Sequence, residues 1–269
     1  MWKRSVIGWR ATRPTHPPSP RLRRWCFALL VALTALMSLT MLLPTASAAS
    51  LLLWPVHPVF EADEPAAALW VENRSEEKVW LQVRVVGWEQ REGENRYPSQ
   101  LGVVASPPMM EIGSGERHLI RLVRESPTPA GKEEAWRIIL DEIPMLESDG
   151  TDGQRRAGVN LQMRYSLPLF SHGEGLADHD GSGTDLRWRI VEADGQTQLE
   201  VTNRGERHAR LTAVAGHGPN GSTIVAEGLL GYVLAGGSQR WPLSGPVSFD
   251  SVTAKLNGHS PVTLPRDGE

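Results

Sequence analysis

From residue 50 onward, apolar positions recur at every second residue. Val79, Leu81, Val83 and Val85 fall on one face of an extended chain, with Trp80, Gln82, Arg84 and Val86 on the other. The same alternation predicts strands over 68–72, 79–88, 102–105, 109–112, 117–123, 135–143 and 159–170. Between them lie breakers: Ser106-Pro107-Pro108, Gly113-Ser114-Gly115 and the polar stretches 126–132 and 148–158. Asn73-Arg74-Ser75-Glu76-Glu77 reads as a hairpin connection between two of the strands. No amphipathic helix of ten residues or more interrupts the series, so the pattern predicts an all-β sandwich. A stretch rich in Gly, His and Asp, 171–184, reads as a linker. Strands predicted over 186–192, 196–203, 209–216, 223–234, 239–242 and 252–256 then make a second, smaller all-β domain, with no internal repeat of fixed period.

The first fifty residues follow a different pattern. Residues 1–24 carry Lys3, Arg4, Arg10, Arg13, Arg21, Arg23 and Arg24 and no acid; an apolar run from Trp25 to Leu43 and the small residues Thr45-Ala46-Ser47-Ala48-Ala49 follow. Such an order describes a secretory signal, 1–49, cut after Ala48 or Ala49. The expected division is therefore 1–49 signal, 50–170 first domain, 171–184 linker and 185–269 second domain. The remaining chain, about 220 residues, fits two sandwiches of about 100 residues each. Removing the signal changes the charge, because seven of the 28 Lys and Arg leave with it and none of the 31 Asp and Glu. The formal balance moves from −3 to −10. An acidic exported protein is a poor partner for nucleic acid, which needs clustered Lys and Arg. The only cysteine, Cys26, lies in the signal, so the exported part forms no disulfide. No second long apolar run exists, and stable membrane insertion is not expected.

Chemistry-bearing motifs are scarce. His57, His118, His172, His179, His208, His217 and His259 show no metal-ligand spacing. Gly113-Ser114-Gly115 lacks the spacing of a nucleophile elbow. Asp178-His179-Asp180-Gly181 with Asp185 lacks the third spaced oxygen and the closing Glu of a calcium loop. The expectation is a protein that is not an enzyme and uses no cofactor or metal. Asn73-Arg74-Ser75 and Asn220-Gly221-Ser222 match a glycosylation triplet but sit where turns favour Asn. Trp188 and Trp241 read as core of the second domain.

The informative stretch is 157–170. Val159, Leu161, Met163, Tyr165 and Leu167 alternate with Asn160, Gln162, Arg164 and Ser166, which by itself describes any half-buried strand. Pro168 donates nothing to a ladder, so the end of this strand is expected at a sheet edge. An apolar edge strand is an aggregation hazard, kept mainly where something pairs with it.

Several segments, in order, resemble the periplasmic chaperones of chaperone–usher pilus systems, the PapD-like group, and particularly its archaic Csu-type branch. They are Leu52-Leu53-Trp54-Pro55-Val56-His57-Pro58, Ala68-Leu69-Trp70-Val71-Glu72-Asn73 and Gln82-Val83-Arg84-Val85, then Ser106-Pro107-Pro108 and Gly115-Glu116-Arg117-His118-Leu119-Ile120-Arg121-Leu122. Trp136-Arg137-Ile138-Ile139-Leu140-Asp141-Glu142-Ile143-Pro144 and Gln162-Met163-Arg164-Tyr165-Ser166-Leu167-Pro168-Leu169-Phe170 complete the set. The second domain matches only in length and β character. The resemblance implies two immunoglobulin-like β-sandwiches at an angle with a cleft between them. It implies a periplasmic protein, monomeric when free, that binds pilin subunits and serves an outer-membrane usher. Its strand 159–167 would complete a subunit that lacks its own last strand, with Val159, Leu161, Met163, Tyr165 and Leu167 as the inserted side chains.

The resemblance also implies a cationic anchor for the subunit's terminal carboxylate. The family's usual Arg and Lys positions hold His57 and Pro168 here. The substitute in the archaic branch is the Arg of the Trp-Arg pair, Arg137, whose guanidinium can grip a carboxylate bidentately. Read from the residues alone, Arg137 could equally face solvent or pair with Glu134 or Asp141. Arg164 and His57 are the other anchor candidates. The competing function is an exported immunoglobulin-like adhesin or carbohydrate-binding module, which would set aromatic residues on a loop end or sheet face.

Overall fold

A computed structural model of the protein describes residues 50–144, 162–176 and 185–268 apart from 220 and 246, together with Leu30 and Leu33. Met1–Ser47 and Ala48–Glu269 form separate compact units, and in the first Leu30 and Leu33 are helical. Among the described residues no helix is long and apolar enough to cross a membrane.

The first half of the larger unit contains β1 (Leu51–Trp54), β2 (Val59–Phe60), β3 (Ala66–Asn73), β4 (Val79–Gly87), β5 (Glu89–Arg91), β6 (Glu94–Arg96), β7 (Val103–Ser106), β8 (Met109–Ile112), β9 (Arg117–Arg124), β10 (Glu133–Ile143) and β11 (Arg164–His172). Two sheets, β1-β3-β9-β7 and β2-β11-β10-β4-β8, face each other. The period-two pattern explains why they close. Leu69, Val71, Ile120 and Leu122 of the first sheet meet Leu81, Val83, Ile138, Leu140, Leu167 and Leu169 of the second in one buried core. Trp80, Gln82 and Arg84 take the outer face, as the alternation predicts.

The second half contains β12 (Leu186–Ala193), β13 (Gln196–Asn203), β14 (Ala209–Gly218), β15 (Gly221–Val233), β16 (Ser238–Pro242), β17 (Ser251–Leu256) and β18 (Pro261–Leu264). Its sheets are β12-β13-β16 and β15-β14-β17-β18. Trp188, Leu199, Val201, Leu211, Val214 and Val252 fill the core, with Trp241 packed against it. The Trp188 indole N–H donates to the Leu264 carbonyl at 3.0 Å.

The Asn73–Glu77 segment is not a hairpin, since β3 and β4 lie in different sheets. Asn73 spans the crossing: its amide donates to the carbonyls of Glu77 (2.7 Å) and Ile112 (3.0 Å), and its oxygen accepts the Ser75 N–H at 3.0 Å. Asn203 does the same in the second sandwich, donating to Arg207 (2.6 Å) and Val233 (3.1 Å) and accepting the Gly205 N–H at 2.9 Å. The two domains thus repeat one corner, Val-x-Asn-Arg, that the sequence pattern did not mark as a repeat. Strands β2, β5, β6 and β18 were also not predicted. The β5–β6 pair carries no apolar residue and depends instead on a tight turn, with Glu92 (φ 56°) and Gly93 (φ 81°) both left-handed.

Strand β11 continues through Ser171 and His172, the first two residues of the expected linker. Both are buried and hydrogen-bonded, which overrides their polar composition. The suspected calcium loop lies mostly outside the described residues. Among those described, no group of His, Cys, Asp or Glu could hold a metal ion.

Candidate functional site

Strand β11 pairs along its whole length with β10, from Glu133↔His172 to Asp141↔Arg164. On its other side, among the described residues, it meets only the two residues of β2, in parallel, at Phe170↔Val59 and Ser171↔Phe60. From Arg164 to Leu169 nothing among the described residues pairs with that side, which is an open edge. Its polar groups follow from the ladder. The Glu142 N–H donates to Met163 O at 3.1 Å, so Met163 and each second residue after it turn their backbone groups toward β10. Arg164, Ser166, Pro168 and Phe170 therefore point theirs outward. The Phe170 N–H confirms the phase by donating to Pro58 O at 3.3 Å. Pro168, which has no N–H, occupies an outward position, where a proline costs the sheet nothing. The open edge offers the N–H groups of Arg164 and Ser166 and the carbonyls of Arg164, Ser166 and Pro168.

The side chains predicted to work on this strand are distributed unevenly. Val159 and Leu161 lie outside the described residues. Met163 is 41% exposed, Tyr165 is half-buried, and Leu167, at 6%, packs in the core of the first sandwich. All three share the inner face, so the apolar row of the core runs out to the open end of the edge.

Where β2 closes the edge, the two sandwiches meet. Trp88, Phe170, Tyr232 and Leu234 form a buried cluster across the junction. The Phe170 ring stacks on His208 at 3.6 Å, and Trp88 meets Tyr232 edge-on at 5.6 Å. Arg137 stands on the outer face of β10 opposite Pro168, with its guanidinium carbon 3.8 Å from the Trp88 ring centre and 5.8 Å from that of Tyr232. It pairs with neither Glu134 nor Asp141. Glu134 accepts the Thr128 hydroxyl at 2.9 Å, and Asp141 holds Arg84 at 2.7 Å and Arg164. Arg137 Nε is buried with no acceptor among the described residues. Burial pushes its pKa down, opposed by Tyr97 and Tyr232, but an arginine remains charged.

Of the other two expected anchors, Arg164 is exposed and tied to Asp141, about 13 Å along the strand from Arg137's partner Pro168 at ~3.3 Å per residue. His57 lies beside Arg137, with Nε2 2.6 Å from the Tyr232 hydroxyl. Burial, then the charges of Arg210, His208 and Arg137, hold its pKa below the usual histidine value, so it is neutral at pH 7.

Three residues at this junction carried no signal in the sequence. Tyr232 and Arg210 face each other across β15 and β14, and both read as ordinary strand residues. Glu133 reads as a solvated charge after Lys132. Its buried carboxylate instead accepts the His208 backbone N–H at 2.7 Å and contacts His208 Nδ1 at 2.8 Å and His172 Nε2 at 3.4 Å. Gln90 makes a second tie between the sandwiches, donating to Tyr232 O and accepting the Leu234 N–H, both at 2.8 Å.

The geometry can do two things. It can accept one more strand on β11, and it can hold an anion where that strand would stop. Residues 54–177 match the family model of the pili and flagellar-assembly chaperone PapD N-terminal domain. No curated protein sequence matches. Among solved structures, the chain is similar to one from the CsuC–CsuE chaperone–tip adhesion subunit pre-assembly complex of the archaic chaperone–usher Csu pili of Acinetobacter baumannii. That similarity is 27% identity with a TM-score of 0.66, over 81% of this chain and 99% of that one. The fold is shared with a chain of the Salmonella enterica SafA pilin–SafB chaperone complex (18%, 0.58, 82% and 98%). It is shared also with the E. coli chaperone DraB (17%, 0.55, 82% and 97%).

Proposed function

We propose that the chain, whose residues 54–177 match the PapD N-terminal-domain model and which is similar to a chain of the archaic Csu-type chaperone–subunit complex, is a pilus-assembly chaperone that holds pilin subunits by strand donation. It lends them the edge that ends at Pro168, in the periplasm, before delivery to an outer-membrane usher. In this reading 1–49 are the export signal, 50–170 the donor sandwich, 171–184 the linker and 185–269 the second sandwich. It works by binding alone, without catalysis or cofactor.

The observation that carries the reading is the one-sided pairing of β11 from Arg164 to Leu169. Free backbone groups beside an apolar row are what a sandwich lacking one strand would need, since its own unpaired groups and bared core are costly to leave. The occupied end of the edge also fits. β2 runs parallel to β11, so an added strand running the same way brings its C-terminus to His57 and Arg137. Arg137 is then the anchor of the terminal carboxylate, with His57 beside it as a neutral partner. Val159 and Leu161, outside the described residues, are the remaining donor side chains of this reading.

Replacing Met163 by Glu puts a charge into that row where it is solvated in the free chaperone. Recovery of a co-expressed subunit by pull-down is expected to fall at least tenfold, with the variant's thermal unfolding unchanged. Undiminished recovery would remove β11 as the donor.

A further inference from the structure

We infer that the β5–β6 hairpin is a polar latch that fixes the angle between the two sandwiches, with the Gln90 side chain and the Gly93 backbone as its points of contact. It is separate from the ionic contacts of Glu133, and strand donation plays no part in it.

The hairpin leaves the first sandwich just after Trp88 and returns at Pro98, where the Gly87 N–H donates to Pro98 O at 2.8 Å and closes its base. Its two strands hold only Glu, Gln, Arg and Asn, so they carry no apolar side chain by which to attach. The second sandwich supplies polar attachments instead. The Gln90 amide donates to Tyr232 O and accepts the Leu234 N–H, both at 2.8 Å, as the backbone of a neighbouring strand would. Asn95, opposite Gln90 in the hairpin, aims that amide from behind. Its side-chain oxygen accepts from Gln90 at 3.0 Å and from the Trp88 indole N–H at 2.8 Å. At the tip, the Arg240 N–H of β16 donates to Gly93 O at 3.0 Å.

The tip rests on a rigid seat. Gly93 is left-handed, and a Cβ there would lie 2.4 Å from Arg240 Cγ and 2.6 Å from its Cδ. An arginine stem usually yields to such a contact, but this one is held at its far end. Arg240 Nε donates to Glu200, a carboxylate only 3% exposed that also accepts Arg189 Nε–H at 2.6 Å. Gly237 is set against Gln90 in the same way, since a Cβ there would lie 2.9 Å from Gln90 Oε1. Gly237 and Arg240 are three residues apart, so the contacts spread over about 10 Å of the second sandwich at ~3.3 Å per residue. Contacts so separated stop a rotation that either alone would permit. Being hydrogen bonds that water can replace, they hold the angle without making it permanent.

Residual dipolar couplings read the angle directly, through one alignment tensor for each sandwich. In the intact protein both sandwiches are expected to fit a single tensor. Gln90→Ala combined with Gly93→Asn keeps a residue that tolerates the left-handed turn but fills the Arg240 seat. It should release the second sandwich, whose alignment then falls to about half that of the first or less. Gln90→Ala alone leaves the turn untouched, serves if the double variant does not fold, and should give a smaller drop. Arg91→Ala, whose ion pair is with Glu89 inside the hairpin, should leave one tensor. Couplings within each sandwich that still fit its own strands show that a variant is folded. Two independent tensors in the parent overturn the latch, as does one unchanged tensor in both Gln90 variants. An Arg91→Ala variant as loose as Gln90→Ala overturns it too, since the named contacts would then not be the ones that hold.

Discussion

At the scale of single residues, Glu133 shows what burial does to a charge that has partners. Burial alone would raise its pKa, but hydrogen bonds from His172 and His208, the charge of His208 and its backbone N–H outweigh that and hold it at about 2. A carboxylate depressed from about 4.5 to about 2 stabilises the fold fully above pH 4.5 and loses that contribution as pH falls toward 2. The amount is on the order of 3 kcal/mol. Glu133→Gln is therefore expected to be less stable than the parent at pH 7 and to lose less stability between pH 4.5 and 2, as read by urea denaturation at each pH. Equal pH dependence in the two proteins would contradict this. Nothing near Glu133 in the sequence announces the role, because its partner His208 stands 75 residues on. Asn73 teaches the complementary lesson. Its neighbours suggested a turn or a glycosylation triplet, whereas its side chain is buried and occupied in bridging two sheets.

At the scale of the element, β11 carries one apolar row through two environments. Leu167 and Leu169 are held by the sandwich's own core, and Met163 is exposed at the open end. The same substitution four residues apart should then fail differently. Leu167→Glu buries a carboxylate with no partner, costing several kcal/mol, and is expected to unfold the first sandwich. Met163→Glu is expected to leave it folded. Far-ultraviolet circular dichroism melts distinguish the two, and matching melts would mean that Leu167 is not core. The alternation and Pro168 made the edge legible in the sequence. The division of labour along it was not legible, because periodicity marks a face without saying whose core fills it.

At the scale of the molecule, two all-β domains were readable from strand patterning, and their joint was not. It draws on Trp88, Glu133, Phe170, His208 and Tyr232, residues distant in sequence that share no motif. Arg137 belongs to that joint, stacked on Trp88 with its Nε buried, while Arg121 is exposed on the opposite sheet. Arg137→Ala is accordingly expected to weaken subunit binding at least tenfold and Arg121→Ala to leave it near the parent value, by titration calorimetry. Equal affinities for the two variants would take Arg137 out of the anchor.

The short parallel contact of β2 with Phe170 and Ser171 makes the β11 edge a ruler with its zero at one end. A strand laid on such a ruler is measured from its last residue, not from its first. Lengthening a partner by one residue at its C-terminus would move every side chain one place along and turn each to the opposite face. If strands are donated here as proposed, partners of this protein can differ freely in sequence and overall length. What they must share is the count from the final apolar residue to the terminal carboxylate.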